Sequence, residues 1–92
     1  MREYEITAVL KEGAQPLIDE TKNTIKSVLA KYSGEITAEE DWGQKRIWHP
    51  INGENAGFFT HIKCKLEASS IKEIEKDFRL NQNILRSMIA RA

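Results

Sequence analysis

Apolar residues recur with two different periods in the first third of this chain. Over residues 3–10 apolar and polar positions alternate, which predicts a half-buried β-strand, and only Val9 departs from the pattern. From about residue 16 to 32 the apolar positions fall at helical spacing, with Pro16 in the first turn, where a missing N–H is tolerated. Gly34 follows at the stop position, where we expect a left-handed backbone. The core-facing residues of the first strand are Tyr4, Ile6, Ala8 and Leu10.

A long strand with one interruption is predicted next. The apolar residues of 36–42 keep one parity and those of 47–51 keep the other, and a strand cannot change the facing of its side chains without an extra residue. Gly43 lies between the two halves, so we expect a β-bulge near it, after which Arg46 and Trp48 point away from the core. The residues expected to face the core are Ile36, Ala38, Trp42, Ile47, His49 and Ile51.

The second half of the chain repeats the order of strand, helix and strand. Residues 52–57 are rich in turn formers and predict a hairpin loop, and a returning strand covers about 58–67. Ser70 and Glu73 have capping-box spacing at the start of a helix over 71–80. In a last strand over 84–91 we place Leu85 and Ile89 inward, because the other parity would bury Arg86.

The order β-α-β-β-α-β predicts an α+β fold, the ferredoxin-like split βαβ arrangement. With right-handed crossovers it forms a four-stranded antiparallel sheet with both helices on one face. Ninety-two residues are enough for one core, so residues 1–92 are taken as a single domain. The other face of the sheet then stays open.

The open face of the predicted sheet carries the residues that could bind a ligand. Aromatic rings beside cations can stack on unpaired bases and contact phosphates, and a four-stranded sheet with exposed aromatic residues is a known RNA platform. Two other interpretations stay open: a cross-strand aromatic pair that only stabilises the sheet, and an interface with another protein. The outward residues are Arg46, Trp48, Phe59, His61, Lys63 and Lys65, joined by Arg86 and Met88 on the last strand.

Composition narrows the classes of function. Fourteen basic and fourteen acidic residues cancel, which is unlike a strong nucleic-acid binder and suggests few phosphate contacts or a partner. The lone Cys64 is expected to be buried, and His49 and His61 are predicted to face opposite sides. We find no motif of an enzyme, a cofactor site, a metal site or a small-molecule site, and no apolar segment for export or membrane insertion.

Several segments, in order, resemble the bacterial small-subunit ribosomal protein S-six family. Residues 1–6 are similar to its opening strand, residues 43–52 (GQKRIWHPIN) to its signature, and residues 57–59 to the start of its third strand. Residues 71–80 and 83–88 are similar to its second helix and final strand. Within the signature three positions differ from the family pattern, because Ile47 replaces leucine, Trp48 a small residue and His49 tyrosine.

The resemblance implies a structural, non-catalytic protein of the cytoplasmic ribosome. It implies binding to the central domain of small-subunit ribosomal RNA together with ribosomal protein S-eighteen as a heterodimeric partner. The alternatives are a ferredoxin-like regulatory or dimerisation module that uses its open face, and a small phosphohydrolase, for which the loop Lys11–Ala14 lacks a phosphate cradle. The candidate RNA-binding residues are Arg2, Lys45, Arg46, Trp48, Phe59, His61, Lys63, Arg86 and Met88.

Overall fold

The structure is a computed structural model, which describes the backbone of residues 1–51 and 53–92 and the side chains of residues 1–47 and 53–92. Four strands form one sheet in the order β2-β3-β1-β4, and every neighbouring pair is antiparallel. The predicted split βαβ order is therefore confirmed. The elements are β1 (Arg2–Lys11), α1 (Gln15–Lys31), β2 (Glu35–Ile51), β3 (Glu54–Leu66), a 3-10 turn (Ala68–Ser70), α2 (Ile71–Arg79) and β4 (Ile84–Arg91).

Both helices pack on the same face of the sheet, which we call the covered face. The alternating apolar residues of β1 and β3 meet Ile25 and Leu29 of α1 and Ile74 and Phe78 of α2 in one cluster. Cys64 belongs to this cluster, and burial raises the pKa of its thiol to about 11, so it acts as a small apolar residue. The core-facing residues of β1 are those that alternation predicted, namely Tyr4, Ile6, Ala8 and Leu10.

The end of α1 differs from the prediction in which residue is left-handed. Ser33 has a φ of 60°, while the N–H of Gly34 donates to the carbonyl of Leu29 at 2.8 Å and that of Ser33 to Ala30 at 3.0 Å. These two bonds form a Schellman motif, with Ser33 in the position that glycine usually occupies. Gly34 is required for another reason: a Cβ there would lie 2.6 Å from Cδ2 of Leu66 and 2.9 Å from the carbonyl oxygen of Leu29.

Two local predictions in the second half were wrong. No capping box forms at Ser70. The backbone of Ser70 is already helical, because this residue ends the 3-10 turn, and its N–H donates to the carbonyl of Glu67 at 3.0 Å. The hairpin loop is also shorter than predicted, since β3 begins at Glu54 rather than near residue 58. In both places neighbouring backbone hydrogen bonds outweigh a short-range sequence preference.

The side of the sheet to which the β2 side chains point differs most from the prediction. The predicted bulge at Gly43 is confirmed by a register shift between Asp41 and Gly43 and by a φ of 83° at the glycine. A second shift, between Ile36 and Ala38, was not predicted. It leaves Ile36 inward but turns Ala38 and Trp42 to the open face, because one extra residue reverses the alternation.

The far half of β2 is reversed in the same way. Ile47 lines a groove with Val9 and Phe59 on the open face, and the side chain of Lys45 lies near the Trp42 ring there. Alternation therefore directs Arg46 to the side of the sheet that carries the helices. The predictions that Ile47 faces the core and that Arg46 faces the open side were therefore wrong. The predicted facing of Trp48, His49 and Ile51 lies outside the described side chains.

β4 pairs with β1 through a register shift that the alternation of its residues did not predict. Its register against β1 shifts between Val9 and Leu10, which allows both Ile84 and Ile89 to pack against the core. Leu85, which we predicted to be inward, is only half-buried. Arg86 and Met88 face the open side as predicted, opposite Val9 and Thr7 of β1.

Candidate functional site

The open face carries an aromatic stack at its centre. The rings of Trp42 and His61 lie parallel, 4.9 Å apart between centroids and 9° apart in plane. Trp42 comes from the edge strand β2 and His61 from β3, so the stack crosses two strands. Trp42 is 40% exposed as a residue, which leaves it available to a ligand.

His61 is held in place by β1. Its Nδ1 lies 3.0 Å from the hydroxyl of Thr7 and its Nε2 lies 3.4 Å from a carboxylate oxygen of Glu5. A carboxylate only accepts, so Nε2–H donates to Glu5, and the Thr7 hydroxyl can either donate to Nδ1 or accept from it. The imidazole is thereby a support for Trp42 rather than a freely exposed contact.

A small apolar groove of about 150 Å³ lies beside the stack. Phe59 of β3 and Val9 of β1 are directly opposite each other in the register and form its floor, while Ile47 and Met88 come from the two edge strands. Gly57 is part of this packing, because a Cβ there would lie 2.6 Å from Cγ1 of Val9. The residues lining the groove are Thr7, Val9, Ile47, Phe59, Arg86 and Met88.

Cations border this apolar region, and they differ in how far they are neutralised. The Nζ of Lys45 is 5.3 Å from the centroid of the Trp42 ring, a cation–π distance, and Arg86 lines the groove from β4. Lys63 and Lys65, by contrast, are directly opposite Glu5 and Glu3 on β1, where opposite charges compensate each other. One end of the open face therefore presents the cations Lys45 and Arg86 beside apolar groups, and the other end presents mixed charge.

The nine predicted contact residues separate into four groups. Five of them meet on or beside the groove and the stack: Lys45, Phe59, His61, Arg86 and Met88. Lys63 is on the same face but at its mixed-charge end. Arg2 and Arg46 follow the parity of the covered face and are exposed, and Trp48 lies outside the described side chains.

Sequence reasoning missed four members of the site: Thr7, Val9, Trp42 and Ile47. Thr7 has the predicted outward parity but was not among the candidate residues. Val9 was visible as the one apolar residue of β1 with the wrong parity, which is a signal for a second apolar surface. Trp42 and Ile47 were assigned to the core because the register shift at Ile36 has no marker in the sequence. Only the pairing with β3 reveals their side.

The described part of this site has the features of a binding surface, namely an exposed ring and an apolar groove bordered by a cation. Among the residues that the structure describes, no three metal-ligating side chains come together, and every buried side-chain polar atom has a hydrogen-bond partner. No helix in the described part of the chain has the length and apolar character needed to cross a membrane. Fold and site together define a split βαβ binding module with an apolar and cationic open face.

Comparison with known proteins narrows this class to a family. The family model described as Ribosomal protein S6 matches residues 3–91. The chain is 47% identical over 92 residues to the small ribosomal subunit protein bS6 of Leptospira biflexa serovar Patoc, with all of this chain and 98% of the relative aligned. The bS6 protein of Clostridioides difficile is 33% identical, with 97% of each chain aligned.

Solved structures agree on the fold. The crystal structure of 30S ribosomal protein S6 from Thermotoga maritima superposes with a TM-score of 0.90 at 20% identity, covering 99% of this chain and 87% of that one. The C-terminal domain of the MgtC protein from Mycobacterium tuberculosis has a TM-score of 0.66 at 5% identity. A protein with a different name therefore shares this fold.

The chain belongs to the ribosomal protein S6 family. It is a structural component of the small ribosomal subunit, located on the cytoplasmic ribosome, and not an enzyme.

Proposed function

We propose that this protein binds the central domain of small-subunit ribosomal RNA together with ribosomal protein S-eighteen, and that the open face carries the contacts. The observation that carries the proposal is the apolar groove that Arg86 borders, on the same face as the exposed Trp42 with Lys45 beside its ring. Flat rings can stack on unpaired bases, and cations beside them can contact the adjoining phosphates.

The two cations have different parts in this proposal. Arg86 supplies a planar guanidinium that can donate two parallel hydrogen bonds to one phosphate, whereas Lys45 supplies a point charge. When Lys45 turns toward a phosphate, it uncovers the indole of Trp42, because its ammonium group lies over that ring in the free protein. Arg46, on the edge strand β2, supplies a further cation on the other side of the sheet, and Arg2 supplies one at the start of β1.

The need for a protein partner follows from charge and from the groove. Zero net charge limits the number of phosphates that the protein can neutralise, and the salt dependence of RNA binding scales with that number. Met88, which is 53% exposed at the groove, is a side chain suited to a protein contact. We therefore expect weak RNA binding by the protein alone and tighter binding with S-eighteen.

Filter binding to the central-domain RNA, with and without S-eighteen and over a range of salt, tests the proposal. Lys45→Ala and Arg86→Ala are each expected to reduce the slope of affinity against salt by about one phosphate contact. Lys72→Ala, an exposed lysine at the start of α2, is the matched control. Absence of RNA affinity in the presence of S-eighteen would refute the proposal.

A second candidate, self-association through the open face, rests on the same exposed Trp42 and Met88. Aromatic residues and methionine are enriched at protein interfaces. Sedimentation of the purified protein distinguishes the two candidates. A tight homodimer that Met88→Lys dissociates would favour this second function, and a monomer that binds S-eighteen would favour the first.

A further inference from the structure

The two edges of the sheet are protected to different degrees. The outer edge of β2 is interrupted by two register shifts near the acidic residues Glu39 and Asp41, which bind Lys26 and Lys22 of α1 at 3.1 and 2.6 Å. Bulges and charges of this kind discourage another strand from pairing. Along residues 86–91, β4 runs without a register shift, and in the described part of the chain no strand pairs with its outer side.

The hydrogen-bond pattern shows which backbone groups of β4 face outward. The N–H of Ala92 donates to the carbonyl of Glu3 at 3.0 Å, so these two residues form a hydrogen-bonded pair of the antiparallel ladder. Such pairs alternate along the register, which directs Arg86, Met88 and Ala90 toward β1. The N–H and C=O groups of Ser87, Ile89 and Arg91 consequently point to the free edge.

A groove accompanies this edge on each face of the sheet. On the open face it is the apolar groove that Met88 and Arg86 border. On the covered face a groove of about 340 Å³ runs between α2 and β4, lined by Glu75, Arg79, Leu85, Arg86 and Ser87. An added strand directs successive side chains to opposite faces, so its residues would enter the two grooves in turn.

The charge of the edge limits what can pair with it. β4 contains Arg86 and Arg91 and no acidic residue, and Arg79 of α2 lies beside it with Glu75 as the acidic residue of the groove. Two copies of β4 would bring arginines together, which disfavours self-pairing. A strand with acidic residues would instead be attracted.

We propose that the free edge of β4 binds an extended, acidic segment of a partner protein as a fifth strand of the sheet. Apolar side chains of the segment lie toward Met88 on the open face, and acidic side chains lie toward Arg79 and Arg91 on the covered face. The main-chain bonds go to Ser87, Ile89 and Arg91. The main-chain bonds of this interaction lie on the strand edge, whereas the RNA contacts proposed above come from side chains of the open face, and Met88 and Arg86 border both sites.

Titration of the ¹⁵N-labelled protein with a short synthetic peptide that alternates glutamate and valine tests the inference by NMR. We expect saturable shifts of the amides of Ser87, Ile89 and Arg91, and smaller shifts of the inward amides of Arg86 and Met88. Ser87→Pro is expected to abolish binding, because it removes an outward N–H without removing a bond to β1. A peptide that alternates lysine and valine should bind about tenfold more weakly.

Charge variants keep the test independent of the proline variant. Arg79→Glu is expected to weaken binding of the glutamate peptide about fivefold. Lys72→Glu reverses a charge on α2 outside the groove, and it should change the affinity by less than about twofold. Unchanged binding by folded Ser87→Pro would overturn the inference, as would shifts confined to Phe59 and His61. Shifts at the edge caused by a single-stranded oligonucleotide and not by the peptide would also overturn it. The open-face assay measures RNA binding in Lys45 and Arg86 variants, whereas the edge assay measures peptide binding in Ser87 and Arg79 variants. Either proposal can therefore fail without the other.

Discussion

Ile6 and Ile62 face each other across β1 and β3 on the covered face, and the next pair along, Thr7 and His61, face each other on the open face. The first pair is buried among apolar side chains from both helices. The second pair is joined by a hydrogen bond of 3.0 Å and supports an exposed indole. Two strands thus provide a core on one side and a binding surface on the other.

The difference between the faces lies in what stabilises each of them. On the covered face, burial of a large apolar side chain contributes about 1.5–3 kcal/mol, and dense packing tolerates few changes. On the open face, stacking contributes about 0.5–1.5 kcal/mol, and the surface keeps room for a ligand. Substitutions on the first face should affect stability, and substitutions on the second should affect binding.

Phe78 and Phe59 are the strongest test of this division, since they are the same residue on opposite faces. Phe78 is 1% exposed between α2 and the sheet, so Phe78→Ala is expected to lower the free energy of unfolding by about 3–5 kcal/mol. Phe59→Ala should cost about 1 kcal/mol, because Phe59 is only half-buried, and should weaken the RNA complex. Urea denaturation and filter binding measure the two effects. Equal losses of stability would contradict the division.

Gly34 and Gly43 compare two glycines that are required for different reasons. Gly34→Ala is expected to cost about 1–3 kcal/mol, because its Cβ would collide with Leu66 and with the backbone of Leu29 in the core. Gly43→Ala meets open space, yet its φ of 83° should cost about 1–2 kcal/mol. Leu66→Ala in the Gly34→Ala background separates the two mechanisms. If the contact with the backbone of Leu29 dominates, Leu66→Ala should not restore the stability that Gly34→Ala removes. A double-mutant cycle of unfolding free energies measures this coupling.

Trp42→Ala tests the stack on the open face. It removes the ring that lies on His61 and under Lys45, and we expect a loss of about 0.5–1.5 kcal/mol in the free energy of unfolding. Trp42→Phe should retain part of the stability and of the binding, because a smaller ring can still stack. If Trp42→Ala reduced stability as much as Phe78→Ala, the open face would be part of the core.

Asp77 provides a pH-dependent test in the helical layer. Its carboxylate accepts hydrogen bonds from the hydroxyl of Tyr32 at 2.9 Å and from Lys31 at 3.2 Å, and these bonds lower its pKa. A lowered pKa in the folded state means that the stabilisation is present above about pH 4 and is lost as the pH falls through the lowered value. Asp77→Asn should therefore flatten the fall of the thermal midpoint in this acidic range. A midpoint with an unchanged acid dependence would show that Asp77 does not couple α1 to α2.

The fold could be predicted from sequence because its signals are long and repeated. Alternation in β1 and the helical stripe of α1 each extend over many residues, and β4 was predicted with the bounds that it has. The capping box at Ser70 failed because it depends on one side chain, whose place a 3-10 turn changed. Patterns that many residues share withstand local exceptions, whereas a two-residue motif does not.

The site was harder to predict because it depends on parity in an edge strand. β2 tolerates polar residues on both sides, so its sequence gives no sign of the shift at Ile36 that brings Trp42 and Ile47 to the open face. The candidate site residues on β3 and β4 were assigned to the correct face, although Leu85 of β4 was not predicted correctly. Phe59, His61, Arg86 and Met88 accordingly lie on the predicted face.

The amino-acid sequence by itself determined the order of the elements, the apolar stripes that form the core and the family to which the chain belongs, because these are properties of periodicity and of motif order along the chain. Tertiary structure decided which cations and rings share a surface. Strand pairing adds or removes one residue at each bulge, and every such step moves the following side chains to the opposite face of the sheet.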